Sequence, residues 1–352
     1  MTLRNAVSLF FLSATFTAAS AAHAGTPIDE THAVNPDAVI AVDLLNGHLK
    51  IVGWDRQEFH ISGTLSYNAT GFTLQERDNG LYFTEELEPR GNCLGNNPCR
   101  NNGQNANNNQ NANNGQNPNN GQNADLTLEI PRNGILRLRG TNIEVRLSGL
   151  ERNTEVALVN GTITAEDLKG VVKLNTVNGG IHTHNLEGRL SLETVNGRIS
   201  DQNSSGNLID YRTVNGRIES STQGSHVRLN NVNGKVDLLL GDIDLLEAST
   251  MGGDIKIAAA LNALAAVDLS SVRGRIELAL PAAASADFAL RTSVGGHIDN
   301  ALSSDKPVQR NRFANASNLD FVLNGGGANV KITTLSGDIK LCAASADPVP
   351  GC

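Results

Sequence analysis

A glycine returns along this chain at a nearly constant interval, each time inside the same short phrase. The phrase is clearest in Leu190-Ser191-Leu192-Glu193-Thr194-Val195-Asn196-Gly197-Arg198-Ile199. With Gly197 as origin, the register recurs at Gly161, Gly179, Gly216, Gly234, Gly253, Gly274, Gly296 and Gly337, with a further copy at Gly47. The steps from Gly161 to Gly274 are 18, 18, 19, 18, 19 and 21 residues, followed by 22 and 41. Self-similarity at a short fixed period marks a repeat architecture, in which each unit buries its apolar face only by lying on its neighbours.

Seven and five residues before the glycine most copies are apolar, as in Val172 and Leu174, Leu190 and Leu192, or Val227 and Leu229. That period of two predicts a half-buried strand. Three before the glycine stands a small polar residue such as Thr176, Thr194, Thr213 or Thr250. An apolar residue lies two before it (Val177, Val195, Val214) and another two after it (Ile181, Ile199, Ile218). The pattern predicts a corner that keeps both apolar neighbours inward, with the glycine supplying a positive φ and Asn178, Asn196 or Asn215 tolerating the left-handed region beside it. A second glycine midway, at Gly170, Gly188 and Gly206, predicts two strands and two corners per unit.

Two all-β architectures fit. Asn-Gly between β-runs is a hairpin signal, so an antiparallel meander is one. The other is a β-solenoid, a parallel β-helix-like stack of about ten coils of 18–22 residues, preferred here because identical residues at every corner then form ladders. Such a stack needs caps, for which Gly25–Pro36 and the Cys342–Cys352 loop are candidates. The step from Gly296 to Gly337 leaves room for a degenerate coil or a surface loop around Ala301–Asn318.

Before the repeats, Arg4, the apolar run Ala6–Leu12 and Ala22-His23-Ala24 predict a cleaved export signal over 1–24, and a mature chain that begins at Gly25. The organisation that follows is N-terminal β coils over 25–90, an Asn/Gln-rich insertion over 91–124, the repeat domain over 125–342 and a disulfide-closed tail over 343–352. Export suits the four cysteines, which fall into two close pairs, Cys93 with Cys99 and Cys342 with Cys352, although four cysteines formally allow three connectivities. Two local disulfides are expected, and the spacing matches no zinc template. From Asn101 to Ala124 the chain holds only Asn, Gln, Gly, Ala and one Pro, a composition that predicts a flexible excursion whose removal leaves stability nearly unchanged. Its functional reading is self-association through amide hydrogen bonds, set against a tolerated codon expansion.

With 28 Lys+Arg against 36 Asp+Glu, the net charge of −8 repels nucleic acid and anionic membranes. No transmembrane segment is read, because the most apolar stretch, Ala258–Leu280, is broken by Asp268, Arg273, Arg275 and Glu277. The protein is therefore expected in the periplasm or outside the cell. After the glycine, Arg198, Arg217 and Lys235 would stack into a basic stripe able to hold anionic groups of a polymer, a possible ligand face. Ser200, Glu219 and Asp237 share its parity, however, and turn it toward a salt-bridge ladder. His182-x-His184 makes half a metal site on one side of a strand, with a solvent-facing pair as the plainer reading. The pairs Asp242/Asp244 and Glu166/Asp167 invite a polysaccharide-acting enzyme, yet acid–base work on sugars needs carboxylates that converge in a cleft. No catalytic residue, metal or cofactor is assigned.

The repeated Thr-Val-Asn-Gly-x-Ile units, with Gly47-His48-Leu49-Lys50-Ile51-Val52-Gly53-Trp54-Asp55 and the run Phe59-His60-Ile61-Ser62-Gly63, resemble an exported bacterial "putative adhesin" domain family of unknown function. Its members are described as β-strand-repeat proteins similar to the head domain of autotransporter adhesins. The resemblance covers roughly Asp37–Leu341, and the Asn/Gln tract departs from it. It implies a β-solenoid-like domain with structural glycines and no catalytic residues to carry over. The function expected is a non-enzymatic exported protein presenting an extended surface to an envelope or extracellular glycan or protein. The alternatives are a polysaccharide-acting β-helix enzyme and a ligand-free structural or envelope-stress protein.

Overall fold

A computed structural model describes residues 25–67, 69–87, 123–311, 316–344 and 350–352. The predicted export signal, Cys93, Cys99 and residues 101–122 of the Asn-rich tract lie outside them. Every regular element is a β-strand, and none of the described residues is helical. Accordingly, no helix here is long and apolar enough to cross a membrane.

The period seen in the sequence is the pairing register of the strands. Lys169–Asn178 lies parallel to Glu187–Asn196 with Leu174 opposite Leu192 and Thr176 opposite Thr194. Glu187–Asn196 in turn pairs Leu192 with Tyr211, and the next unit pairs Tyr211 with Leu229. Residues after the glycine form a second parallel ladder, in which Ile163, Ile181, Ile199, Ile218, Val236 and Ile255 follow one another. Parallel pairing holds throughout the repeats, which excludes the meander there. Ile135–Ser148 and Ile199–Asn215 are long enough to bend through a corner and join both ladders. Pairings through Thr154–Asn160, Lys169–Asn178, Glu187–Asn196, Ile181–His184 and Ile163–Glu166 therefore close a ring of seven parallel strands. Between the ladders lies one continuous aliphatic core, with Val172, Leu174, Leu192, Ile199 and Ile209 fully buried.

At the corner, the glycines serve close approach more than positive φ. Only Gly47, Gly161 and Gly234 of the ten have φ in the left-handed region. A Cβ on Gly197 would instead stand 1.8 Å from the carbonyl oxygen of Gly179, whose own Cβ would stand 1.8 Å from that of Gly161. The column continues with Gly216, Gly234, Gly253 and Gly274, each against its predecessor. Positive φ at non-glycine residues occurs at the other corner, at Asp167, Asn185 and Asn203.

The chain does not stack in simple sequence order. Gly337 lies on Gly274, and Gly296 lies on Gly337. Ala328–Thr334 is thus inserted between Ile255–Ser271 and Ala286–Thr292, parallel to both. The excursion that makes this possible is the hairpin of Val308–Asn311 and Ala316–Leu323, whose second strand covers Ala286–Thr292 antiparallel with Phe321 stacked on Phe288. That hairpin, not the Cys342–Cys352 loop, caps this end. The Cys342–Cys352 disulfide is present, but Cys342 sits in Ile339–Ala343, which is flanked by strands on both sides. From the tail, the backbone N–H of Cys352 donates to Glu277 on the side of the stack.

At the opposite end, Val39–Trp54 is not outermost. Gly80–Leu87 and Ala124–Pro131 complete the unit beyond it, with Ala124 opposite Gly47. The described chain stops at Leu87 and resumes at residue 123, on the two sides of a corner. Ala124 is fully buried and belongs to the sheet, so the removable stretch ends before it. Antiparallel strands cover this end: Ala69–Arg77 on Gly80–Leu87, Glu58–Thr64 on Ala124–Pro131, and Pro27–Ala33 on Glu58–Thr64. His60 joins the last three, bonding Asp29 and Glu129 at 2.9 Å each, and the Glu129 and Asp29 bonds raise its pKa.

One core position is polar. The carboxylate of Asp201, fully buried, accepts from Thr183 at 2.7 Å and Tyr211 at 2.6 Å, and from Ser204. Burial pushes its pKa above the ordinary carboxylate value, against the pull of those donors. The folded state thus holds this proton more tightly than the unfolded chain. Stability from Asp201 is complete below the ordinary carboxylate range and is lost as pH rises through the raised value. Thermal melts of the protein and of Asp201→Asn between about pH 4 and 8 should show the wild type losing ground to the variant as pH rises; a difference that is constant or reversed contradicts this. Gly197→Ala should lower stability by about 1–3 kcal/mol in denaturant titration, since its methyl meets backbone that cannot withdraw. An unchanged midpoint would contradict the close-approach account.

Candidate functional site

Threonine makes the corner, and in doing so turns the next side chain outward. Residues seven, five and three before the glycine share one parity and all face the core, so Thr176, Thr194 and Thr334 are buried. Their hydroxyls serve the corner backbone and not one another, as a threonine ladder would have required. Thr176 and Thr194 donate to the carbonyls of Gly161 and Gly179 at 3.1 and 3.0 Å, whereas Thr250 and Thr334 accept from the N–H groups of Gly253 and Gly337. Burying a polar side chain costs free energy unless it is bonded in this way.

The residue two before the glycine then has the opposite parity, and the inward position expected for it is incorrect. Leu45, Val159, Val177, Val214, Met251 and Leu335 are exposed, Met251 by 58%. Val195, Val232 and Val272 are half-buried. Because the units are in register, these residues form one ridge along the stack, apolar except at Thr141, which stands between Leu45 and Val159. Beside the ridge runs a shallow trough with a volume of about 520 Å³ between Val195 and Val272. Its far wall is the polar column of Glu193, Arg212, Asn230 and Ser249, and its floor is Thr194, Thr213, Asn231 and Thr250. Two buried atoms of that floor, Thr213 Oγ1 and Asn231 Oδ1, have no hydrogen-bond partner among the described residues. A second trough of about 470 Å³ repeats the arrangement nearer the amino-terminal end, with Leu45, Thr141 and Val159 as its ridge.

On the other flank of the ridge the corner asparagines make a ladder. Asn142, Asn160, Asn178 and Asn196 each donate from Nδ2 to Oδ1 of the preceding asparagine, at 2.8, 2.7, 2.9 and 2.9 Å, starting from Asn46. Asn215 and Asn233 extend it at 3.1 and 3.2 Å. Asn142 belongs to a unit whose corner has Ile143 in place of glycine, which hid that unit from a search on glycine spacing.

The residues singled out from sequence lie on the second ladder, away from the ridge. Arg198 and Arg217 both approach Glu219, at 3.8 and 2.9 Å. Lys235 makes no ion pair among the described residues. Asp254 and Asp338 in the same column accept the backbone N–H of Arg275 and His297 at 2.9 and 3.0 Å. The His297 N–H, with Arg275 nearby, holds the Asp338 carboxyl below its ordinary value. His182 and His184 face outward, and His184 meets Asn203 at 3.2 Å. No group of three His, Cys, Asp or Glu side chains is placed to hold a metal ion among the described residues. Asp244 accepts from Asn262 at 2.7 Å and Asp167 from Asn185, so both act as corner ladder rungs.

No family model matches the chain. No curated protein matches it either. Similar solved structures include one described as a "putative cell adhesion protein" from Clostridium sporogenes, at 10% identity over 90% of this chain and 99% of that one, with a TM-score of 0.18. Another, described as a "putative adhesin" from Bacteroides fragilis, shows 11% identity over 91% of this chain and 99% of that one, with a TM-score of 0.34.

Ridge side chains touch water on their outer side, so replacing them should leave the fold intact. Val177→Glu and Val214→Glu should each change unfolding free energy by no more than about 0.5–1 kcal/mol, while Thr194→Ala should cost about 1–2 kcal/mol through its lost corner bond. Equal losses at all three positions would show that the ridge is core.

Proposed function

We propose that the two parallel ladders form a single β-solenoid, and that the protein acts by binding and not by chemistry. It is read as an exported adhesin-type protein that presents the ridge and trough to a partner in the cell envelope or outside the cell. The observation that carries this reading is the ridge itself. An exposed apolar strip continued through unit after unit is far from the scattered apolar residues of an ordinary surface, and such strips mark interaction sites. The one-unit register of the pairing supports the solenoid, because equivalent residues then recur about every 4.8 Å along one axis and give a face suited to extended or multivalent partners. A disulfide between Cys342 and Cys352 supports an oxidising compartment.

The non-enzymatic part of the reading is supported by the placement of the candidate carboxylates. Asp167 and Asp244 are engaged in corner hydrogen bonds with the adjacent unit, on the outside of the stack. The basic residues Arg198, Arg217 and Lys235 are secondary candidates, since the first two share Glu219.

Purified protein, fluorescently labelled, should bind isolated cell envelopes or extracellular matrix saturably and be displaced by unlabelled protein. Val177→Glu combined with Val214→Glu should reduce retention at least tenfold, a loss of about 1.4 kcal/mol, and Arg198→Ala with Arg217→Ala should have little effect. Absence of saturable binding, or release of products from a panel of polysaccharides, counts against the reading.

A further inference from the structure

We propose that the ridge docks a second copy of the same chain, side by side and in the same direction, so that the ridge of each copy lies in the trough of the other. This inference rests on reading the ridge as a docking face, and it names the occupant.

Spacing is the first reason. Ridge residues recur once per unit, about every 4.8 Å, whereas like-facing side chains of an extended peptide laid along the axis recur about every 6.6 Å and fall out of step within a few units. A second copy has the matching interval by construction. Symmetry gives the relative direction. Ridge and trough lie next to each other on one face, so a two-fold axis parallel to the stack puts each ridge over the opposite trough, while a two-fold across the stack sets ridge on ridge. The parallel operation also places the asparagine ladder opposite the polar wall of Glu193, Arg212, Asn230 and Ser249. A carboxamide both donates and accepts, so it can meet either charge on that wall.

Area and charge agree with this. A strip on the order of 50 Å long and about 12 Å wide covers about 600 Å² on each copy, which together reaches the roughly 1,200 Å² of the smallest specific interfaces. Two chains of net charge −8 repel each other overall. The ridge carries no ionisable group, so it is where they approach at least electrostatic cost.

Sedimentation velocity of the purified protein between about 1 and 100 µM, near 0.15 M salt, should show a reversible monomer–dimer equilibrium. Val177→Glu with Val214→Glu should weaken dimerisation at least tenfold while the monomer still unfolds cooperatively within a few degrees of the wild type, because burying unpaired carboxylates is costly. Arg198→Glu with Arg217→Glu should leave it unchanged. Energy transfer between copies labelled at Asn35 should be high, and transfer from Asn35 on one copy to Asp305 on the other should be low. A monomer at about 100 µM, a double ridge variant that dimerises like the wild type, or strong transfer between opposite ends overturns the proposal. If the protein stays monomeric but still binds envelopes through the ridge, the docking face stands and its occupant is not a second copy.

Discussion

Backbone touching backbone at the glycine corner is the contact on which the rest of the structure depends. The Cα of each corner glycine sits against a carbonyl of the adjacent unit, that of Ala124 for Gly47, of Ile143 for Gly161 and of the neighbouring corner glycine for the rest, at a separation that leaves no room for a Cβ. At the same corner the N–H of Gly179 donates to the carbonyl of Asn196, and that of Gly197 to the carbonyl of Asn215, so pairing runs through the bend unbroken. A parallel sheet ordinarily needs long crossovers to return each strand to its starting edge. Here the return is made by the other half of the same unit. That is affordable in 18 or 19 residues only if both corners are tight.

Tightness at the corner explains the neighbouring columns. With the bend drawn in, the residue three before the glycine is trapped inside beside exposed peptide groups, where most units use a short hydroxyl or amide that can bond them, while Leu44 and Leu158 fill the position in two units nearer the amino-terminal end. Asparagine next to the glycine is held outside, where its side chain reaches the asparagine of the adjacent unit. Asp201 shows the opposite case, a carboxylate on the core face of the second ladder. It is tolerated because Thr183, Ser204 and Tyr211 surround it with donors. The cluster is local to these units, since the equivalent position one unit earlier than Thr183 is Ala165.

Period, strand parity and the corner were legible in the sequence because each is a local property repeated many times. Parallel pairing of the repeats followed from identical residues at each corner, of which the asparagines, and not the threonines, bond one another. Three things were not legible, for different reasons. The valine before Asn-Gly was assigned inward on its apolarity, although the parity of Val172, Leu174 and Thr176 already placed it outside. Intercalation of Ala328–Thr334 between earlier strands is a long-range choice, and spacing along the chain carries no signal of it. The glycine requirement at Gly197 was read as positive φ, when it is a steric demand from a residue 18 positions away. Legibility at the candidate site was correspondingly poor. Charged residues drew attention to Arg198, Arg217 and Lys235, while the ridge is made of residues that look like core.

The ridge differs from the columns beside it in what it conserves along the stack. Glycine recurs at the bend almost without change, and the position three before it stays small and polar through most units, because both are dictated by corner geometry. Two before the glycine the chain uses Leu45, Met251 and Leu335 as well as valine, and only the unit whose corner lacks the glycine has a polar residue there, Thr141. No fold constraint acts on a side chain that points into water, so exposure alone would let this column drift to polar residues, as the column of Glu193, Arg212, Asn230 and Ser249 has. Apolarity with variable shape is what remains when a partner requires dry contact at regular intervals but no individual lock. A surface under that requirement tolerates single substitutions and fails when charge is buried in it, which separates a docking strip from both a catalytic cleft and an inert flank.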